Sequence, residues 1–483
     1  MFASRGSTVR PRRVLAAAGV IGCMVLLAST VAPNPSAGAS TGSSAKHLTV
    51  TWMNGFAAPD TPAKYNKVGV IKVGPRNATN VLVLEPGTSA AASYFVPLAT
   101  WIVSKTRGWQ VWAVERRESL LEDQSVLNLF KEHRATATQL FDYYLGYLKN
   151  PRITHHVQPV ADSTVEFAKQ WGLNVAVQDL HVVIKAANKL GGKVVLGGHS
   201  LGGSVVTAYA TWDFNGHAGA DDLAGLIYID GGSNPNPVST QTATQTLQAL
   251  DASGATPWLA FGGIPAPYAG LFEATGSAAA LLDPHGPSLG QASGLLPADI
   301  VPPVPVTNVG QYGYALNATT SPASLLAAQA HLGQGLSAQG PVHGWNGSGA
   351  LTPIARFATM FAGEGIQDAG GVEWYFPQRL TDDTGAVANG NANPAQSVLD
   401  VHSTMGHELP KNLLIYAFGA RLGGASVPET AQLLAQQSGI PMNNLTVANY
   451  QSTYSHNDPA GAYPDNAFFN RLIPFLSKVT RQR

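Results

Sequence analysis

Residues 194–210, Val-Val-Leu-Gly-Gly-His-Ser-Leu-Gly-Gly-Ser-Val-Val-Thr-Ala-Tyr-Ala, constrain the fold more than any other stretch. The apolar run 194–196 reads as a buried strand. The small and apolar residues 203–210 read as a helix able to lie close to a sheet. Between them stands Gly198-His199-Ser200-Leu201-Gly202, a G-x-S-x-G pattern. Alone the pattern is weak, because a chain with 51 glycines produces it by chance easily enough. Between a strand and a helix it demands a sharp turn. Gly198 and Gly202 leave room for that turn, since a β-carbon at either flank would meet strand or helix. Ser200 then stands on the turn with its hydroxyl exposed and the next backbone N–H aimed at the same point.

The flanking chain repeats strand and helix. Residues 68–73, 81–84, 110–114 and 223–229 are short apolar runs bounded by Gly, Pro or Asn, and read as strands. Residues 93–105, 120–148 and 165–190 read as mostly helical. In the last of these Val175, Leu180, Val183, Ile184 and Ala187 share one face. Such alternation implies a mostly parallel sheet with helices on both faces. Ligands gather at the carboxyl ends of such strands, and Gly87, Ser200 and Asp230 each follow a strand. Regularity stops at Ser233. Residues 234–409 are rich in Gly, Ala, Pro, Ser and Gln, with short helical pieces such as 322–332 and 354–361. A structureless loop of that length is implausible in a compact domain, so the stretch is expected to be a cap inserted before the penultimate strand. Strands resume at 412–418 and 445–450, with helices at 428–437 and 467–476.

Charge and cysteine usage set further bounds. Only 12% of residues are charged, and 29 basic residues balance 29 acidic ones. No basic stripe suggests nucleic acid. Residues 1–13 carry Arg5, Arg10, Arg12 and Arg13 without an acid, residues 14–28 are apolar, and Ala37-Gly38-Ala39 offers a cleavage site. These read as a signal peptide over 1–39, followed by a linker over 40–47, and predict an exported protein. The alternatives are an uncleaved membrane anchor and lipidation of Cys23. Cys23 is the only cysteine, so disulfides, a cysteine nucleophile and cysteine-ligated zinc are excluded. His155-His156 lacks a matching carboxylate pattern, and no metal or cofactor is expected.

With these residues in place, the chain resembles the α/β-hydrolases of the lipase and esterase type over residues 72–233 and 412–478. The expected fold class is α/β, with core segments 48–233 and 410–483 around the cap over 234–409. The resemblance implies an elbow serine, Ser200, and a triad in chain order Ser, acid, His. His456, between the last strand and last helix, stands where the family's histidine lies. His199 is adjacent to the serine, and as a neighbour on a sharp turn it is expected to point elsewhere and to pack. The commonest position for the acid follows strand 412–418, yet residues 418–424 (Phe-Gly-Ala-Arg-Leu-Gly-Gly) contain no carboxylate. Asp230, one strand earlier, keeps the order and is the choice. Glu429 is an alternative acid, and Asp458 is a weaker one because it is only two residues from His456. The oxyanion donors implied are the backbone N–H groups of Leu201 and Thr88, with Ser89 close behind Thr88. Glu115-Arg116-Arg117-Glu118 reads as a surface ion-pair cluster.

The expected function is ester hydrolysis of a small-molecule substrate through an acyl-enzyme. The same triad permits acyl transfer or amide and peptide cleavage. The missing carboxylate after strand 412–418 leaves open a non-catalytic binding protein on a hydrolase fold.

Overall fold

The computed structural model describes residues 48–338 and 340–482. The signal peptide expected over 1–39, Cys23 and the linker over 40–47 lie outside these residues. Among the described residues no helix is long and apolar enough to cross a membrane.

Nine strands form the main sheet. In chain order they are β1 (Leu48–Asn54), β2 (Lys67–Val73), β3 (Asn80–Glu85), β4 (Trp109–Glu115), β5 (Val194–His199), β6 (Gly225–Ile229), β7 (Ile366–Gln367), β8 (Leu414–Gly419) and β9 (Leu445–Asn449). Their order across the sheet is β9-β8-β6-β5-β3-β4-β2-β1-β7. The six strands from β9 to β4 are mutually parallel. Only β2 runs antiparallel to its neighbours. This is the mostly parallel sheet that the strand and helix alternation implies, and the α/β-hydrolase fold that the resemblance implies.

Both faces of the sheet are covered, which explains why its central strands read as continuous apolar runs. Val81, Val83, Val194 and Leu196 pack on one face with helices α2 (Leu173–Asn188) and α3 (Leu201–Ala210). Leu82, Leu84, Val195 and Ile227 pack on the other, against Leu98 and Ile102 of α1 (Val96–Lys105) and Phe475 of the closing helix Ala467–Arg481. The predicted apolar stripe of α2 is buried. The long helical readings are broken in the structure. Residues 120–148 hold two short helices, Ser125–Lys131 and Ala137–Tyr144, separated by a loop.

Residues 234–409 depart from the expected cap in two ways. They contain helices the sequence did not show, among them α4 (Thr240–Asp251), α5 (Tyr268–Leu282) and α6 (Asn308–Leu316), beside the expected helix at 354–361, seen as α7 (Ile354–Ala362), while 322–332 holds only a short 3-10 helix, Ala323–Ala328. The α5 sequence YAGLFEATGSAAALL is apolar or small nearly all round, so it carries no periodic signal. The stretch also joins the core. Its β7 pairs with β1 and forms the sheet edge there, and Phe376, Leu380 and Val387 pack in the core cluster that covers α2 and α3. Strand β1 itself largely alternates between more and less exposed residues, as a strand with one solvated face does.

Candidate active site

The turn between β5 and α3 places Ser200 with φ 56° and ψ −128°. Positive φ in a residue with a side chain costs of order 1–3 kcal/mol and persists where the surroundings over-determine it. Here the ladder does so: Ser200 N–H donates to Ile229 O at 3.0 Å, and Gly203 N–H donates to Ser200 O at 2.8 Å. A β-carbon at Gly198 would fall onto the carbonyl of Gly202, and one at Gly202 onto that of Glu85. Only glycine permits strand, turn and helix to close this tightly.

Asp230 follows β6 and also has positive φ, 45°. Its carboxylate is buried and accepts Nδ1–H of His456 at 2.7 Å. It also accepts the backbone N–H groups of Ala420 at 2.6 Å, Leu422 at 3.2 Å, Gly423 at 3.0 Å and Gly424 at 3.3 Å. Residues 420–424 are the turn after β8 that lacks a carboxylate. In its place the turn offers N–H donors to the acid of the adjacent strand. Burial alone would raise the Asp230 pKa, but the hydrogen bond and charge of His456, with the Ala420 N–H, outweigh burial and hold it below the usual range. Glu429, the alternative acid, is exposed on the first turn of helix Ser426–Gln437 and pairs with no histidine. That alternative is corrected: the helix turns Glu429 to solvent.

His456 lies on a loop pinned at three points. Asp458 Oδ2 accepts from His331 Nδ1 at 2.6 Å and from Ser455 N–H at 2.7 Å, while its Oδ1 accepts the Thr352 hydroxyl at 2.7 Å. Asp458 is therefore committed to residues of the inserted stretch and to its own loop, and does not bond His456. Asn457 donates to the carbonyls of Ala327 and Gln329 and accepts the Tyr94 hydroxyl. His199 does not point away. Its ring packs 4.4 Å from that of His456, and its Nε2 is 3.0 Å from the His456 carbonyl. A carbonyl only accepts, so Nε2 carries the hydrogen. Burial, then the neighbouring His456, push the His199 pKa down to about 3, so this ring is neutral.

The expected oxyanion loop, residues 85–90, is held from behind by Arg116. Its guanidinium donates to Glu85 Oε1 at 2.6 Å and to the carbonyls of Pro86, Gly87 and Ala90 at 3.0, 2.8 and 2.8 Å. It also donates to Glu373 from the inserted stretch at 2.9 and 3.2 Å. Glu373 N–H in turn donates to Ser89 O at 3.0 Å. With those carbonyls turned to Arg116, Thr88 and Ser89 face the cavity. Among the described residues no hydrogen bond takes up the N–H of Thr88 or Leu201. The surface reading of residues 115–118 is overturned: Glu115, Arg116, Arg117 and Glu118 are all buried. Arg117 binds Asp179 of α2 with both η2 contacts and Nε. The missed signal was position. Both arginines come at the carboxyl end of a buried strand, where charges need partners.

Ser200, His456, Gly87 and Thr88 open onto one cavity of about 210 Å³. The rest of its wall is mostly apolar and comes largely from residues 261–361, including Phe272, Ala279, Leu316 and Phe361, with Leu140, Phe141 and Leu145 from the core segment. Ser200 Oγ makes no hydrogen bond to His456 in this structure, a spacing often looser before substrate binds. The remaining histidines lie elsewhere. His402 pairs with exposed Asp400, His407 bonds the Gln437 carbonyl, and His156 stacks on Tyr147. Among the described residues no three His, Cys, Asp or Glu side chains gather as a metal site would require.

No protein-family model matches the chain, and no curated protein sequence matches it. Solved structures do. A soluble variant of monoglyceride lipase from Saccharomyces cerevisiae, in complex with a substrate analog, is 12% identical over 93% of this chain and 100% of its own, with a TM-score of 0.39. A highly thermostable carboxyl esterase from Bacillus coagulans, in complex with glycerol, is 11% identical over 89% and 98%, with a TM-score of 0.38. Monoacylglycerol lipase from Paleococcus ferrophilus is 12% identical over 85% and 99%, with a TM-score of 0.36. Likenesses of this size carry no argument about activity.

Proposed function

We propose that this chain is a serine hydrolase that cleaves carboxylic esters through an acyl-enzyme. The observation that carries the reading is the 2.7 Å bond from His456 Nδ1 to buried Asp230, with His456 and the elbow serine lining one cavity. Because Nδ1 holds the proton for Asp230, Nε2 of neutral His456 is left as the base. It takes the Ser200 proton as Oγ attacks the ester carbonyl carbon. The carbonyl oxygen becomes an oxyanion and accepts the N–H groups of Leu201 and Thr88. Collapse breaks the bond to the leaving oxygen, which receives the proton from His456. Water then repeats the sequence on the acyl-enzyme, releasing the acid and Ser200. Asp230, tied by four backbone donors and by His456, keeps the imidazole in one tautomer and stabilises its charged form.

The binding-protein alternative drew on the turn after β8 having no carboxylate. The donors of that turn around Asp230 favour the catalytic reading instead. Acyl transfer would use the same groups, with an alcohol or amine replacing water. Hydrolysis of p-nitrophenyl esters from short to long acyl chains, with Ser200→Ala as the blank, tests the reading. Turnover lost in the variant is expected. No turnover, with no labelling of Ser200 by a phosphonate, would sink it. Residues 1–39 are proposed to direct export and to be removed, which N-terminal sequencing of the exported protein checks.

A further inference from the structure

His199 stands directly before the proposed nucleophile, and its buried ring touches two others. It stacks 5.0 Å from the Tyr94 ring and packs 4.4 Å from that of His456. Two oxygens meet its Nε2, the His456 carbonyl at 3.0 Å and the Tyr94 hydroxyl at 3.3 Å. The Tyr94 hydroxyl commits its hydrogen to Asn457 Oδ1 at 2.9 Å. Both oxygens can therefore only accept from His199. Nε2 carries the hydrogen, and Nδ1 is left as a bare acceptor. That Nδ1 is buried and has no hydrogen-bond partner among the described residues.

The orphan nitrogen separates two roles for this side chain. A ring that only fills space needs no nitrogen, and phenylalanine would fill it without a buried unpaired acceptor, which destabilises a fold. What histidine adds is the Nε2–H, and its shorter bond goes to the His456 carbonyl. Among the described residues no other hydrogen bond reaches that carbonyl. The side chains of Asn457 and Asp458 tie down their own part of the loop. Asp230 holds the His456 ring at Nδ1. The peptide from which that ring hangs is held by His199.

We infer that His199 is a positioning residue, a strap from the elbow to the His456 peptide that sets where Nε2 of His456 meets Ser200 Oγ. The residue before the nucleophile thus gauges the distance to the base. The inference rests on Ser200 and His456 being nucleophile and base, and deepens that reading. A misplacement of about 1 Å can cost about a hundredfold in rate, so this one hydrogen bond matters more to turnover than to folding.

Two substitutions set strap against packing. His199→Gln puts an amide N–H where Nε2 stands but has no ring, whereas His199→Phe keeps a ring and loses the donor. Each is measured by steady-state p-nitrophenyl ester kinetics, with denaturant midpoints to show that it is folded. The strap predicts that Phe lowers kcat about 10–100-fold with KM within about twofold, and that Gln stays about tenfold or more above Phe. Packing predicts the reverse order. His199→Leu, which also lacks a donor, replaces Phe should Phe not fold. Nitrogen NMR of the unsubstituted, histidine-labelled protein reads the strap without any variant: the Nε2–H tautomer is expected at His199. An Nδ1–H tautomer, Gln no better than Phe or Leu, or a loss carried by KM would overturn the strap and leave the hydrolase intact. Absence of both turnover and phosphonate labelling in the unsubstituted protein would remove the hydrolase reading, and the strap with it.

Discussion

Ser200 and Asp230 stand at the ends of neighbouring sheet strands, whereas the loops carrying Thr88 and His456 are held by residues 327–373 of the inserted stretch. In the first region the backbone does the positioning. His199 pairs with Ile229 in the β5–β6 ladder, so the serine and the acid each follow the last pair of one register. In the second region side chains do it. Arg116 and Glu373 fix the oxyanion loop, and Asp458, with His331 and Thr352, fixes the histidine loop. The sheet-borne groups are placed by local chain geometry, and the loop-borne groups by contacts between residues hundreds of positions apart.

This contrast is broken most strongly at Asp230. Asp230→Asn is expected to lower kcat by about 10⁴ with the fold intact, because the amide favours the wrong His456 tautomer. Glu429→Ala should leave kcat unchanged, and steady-state ester kinetics of the two variants check both. Next comes Arg116. Arg116→Lys cannot reach three carbonyls and two carboxylates together, and is expected to cost about 3–5 kcal/mol of stability by denaturant unfolding. It should also lower kcat with KM little changed, as expected when an oxyanion donor drifts. An equal loss in kcat and gain in KM would mean that Arg116 shapes the binding cavity instead.

Glu115 tests the same network through pH. It is buried, bonds the Ala92 N–H at 2.7 Å, and burial pushes its carboxyl up to about 7. A folded-state pKa above the unfolded value means that the native protein binds the extra proton. Stability should therefore fall as pH rises from about 4.5 to about 7. Glu115→Gln removes that slope, worth at most roughly 3 kcal/mol. Unfolding midpoints across this range would read it, and an unchanged slope would assign it elsewhere. The smallest effect is expected at Asp458→Asn, which keeps an Oδ1 acceptor for Thr352 but puts an NH2 where Oδ2 accepts from His331 and Ser455. About 1–2 kcal/mol of stability, and a few-fold loss in kcat from a looser His456 loop, are expected.

The comparison also explains what the sequence could reveal. The elbow is written in glycines and apolar runs within a dozen residues, and Asp230 ends an unmistakable buried strand. The alternation of strand and helix, and with it the α/β class, follows from such local patterns, whereas the order of the strands across the sheet does not. The roles of Arg116 and Glu373 are not local. Glu-Arg-Arg-Glu has the composition of a surface segment, and nothing near position 373 points to residue 116. The α5 helix was hidden because alanine, glycine and serine surround it without a stripe. Strand β7 is two residues long and exists only because β1 is there to pair with. Strand β1 is legible in the alternation of Leu-Thr-Val-Thr-Trp-Met-Asn, directly after the expected linker.

Arg116's link to Glu373 also orders events in time. As the chain is made from its N-terminus, Ser200 and the Asp230 strand come first. The oxyanion loop then waits for residue 373, the Asp230 carboxylate waits for the turn at 420–424, and the imidazole arrives last of all. A partly synthesised or prematurely ended chain thus carries the serine without the groups that would arm it. On the proposed mechanism, activity would therefore need the last third of the sequence.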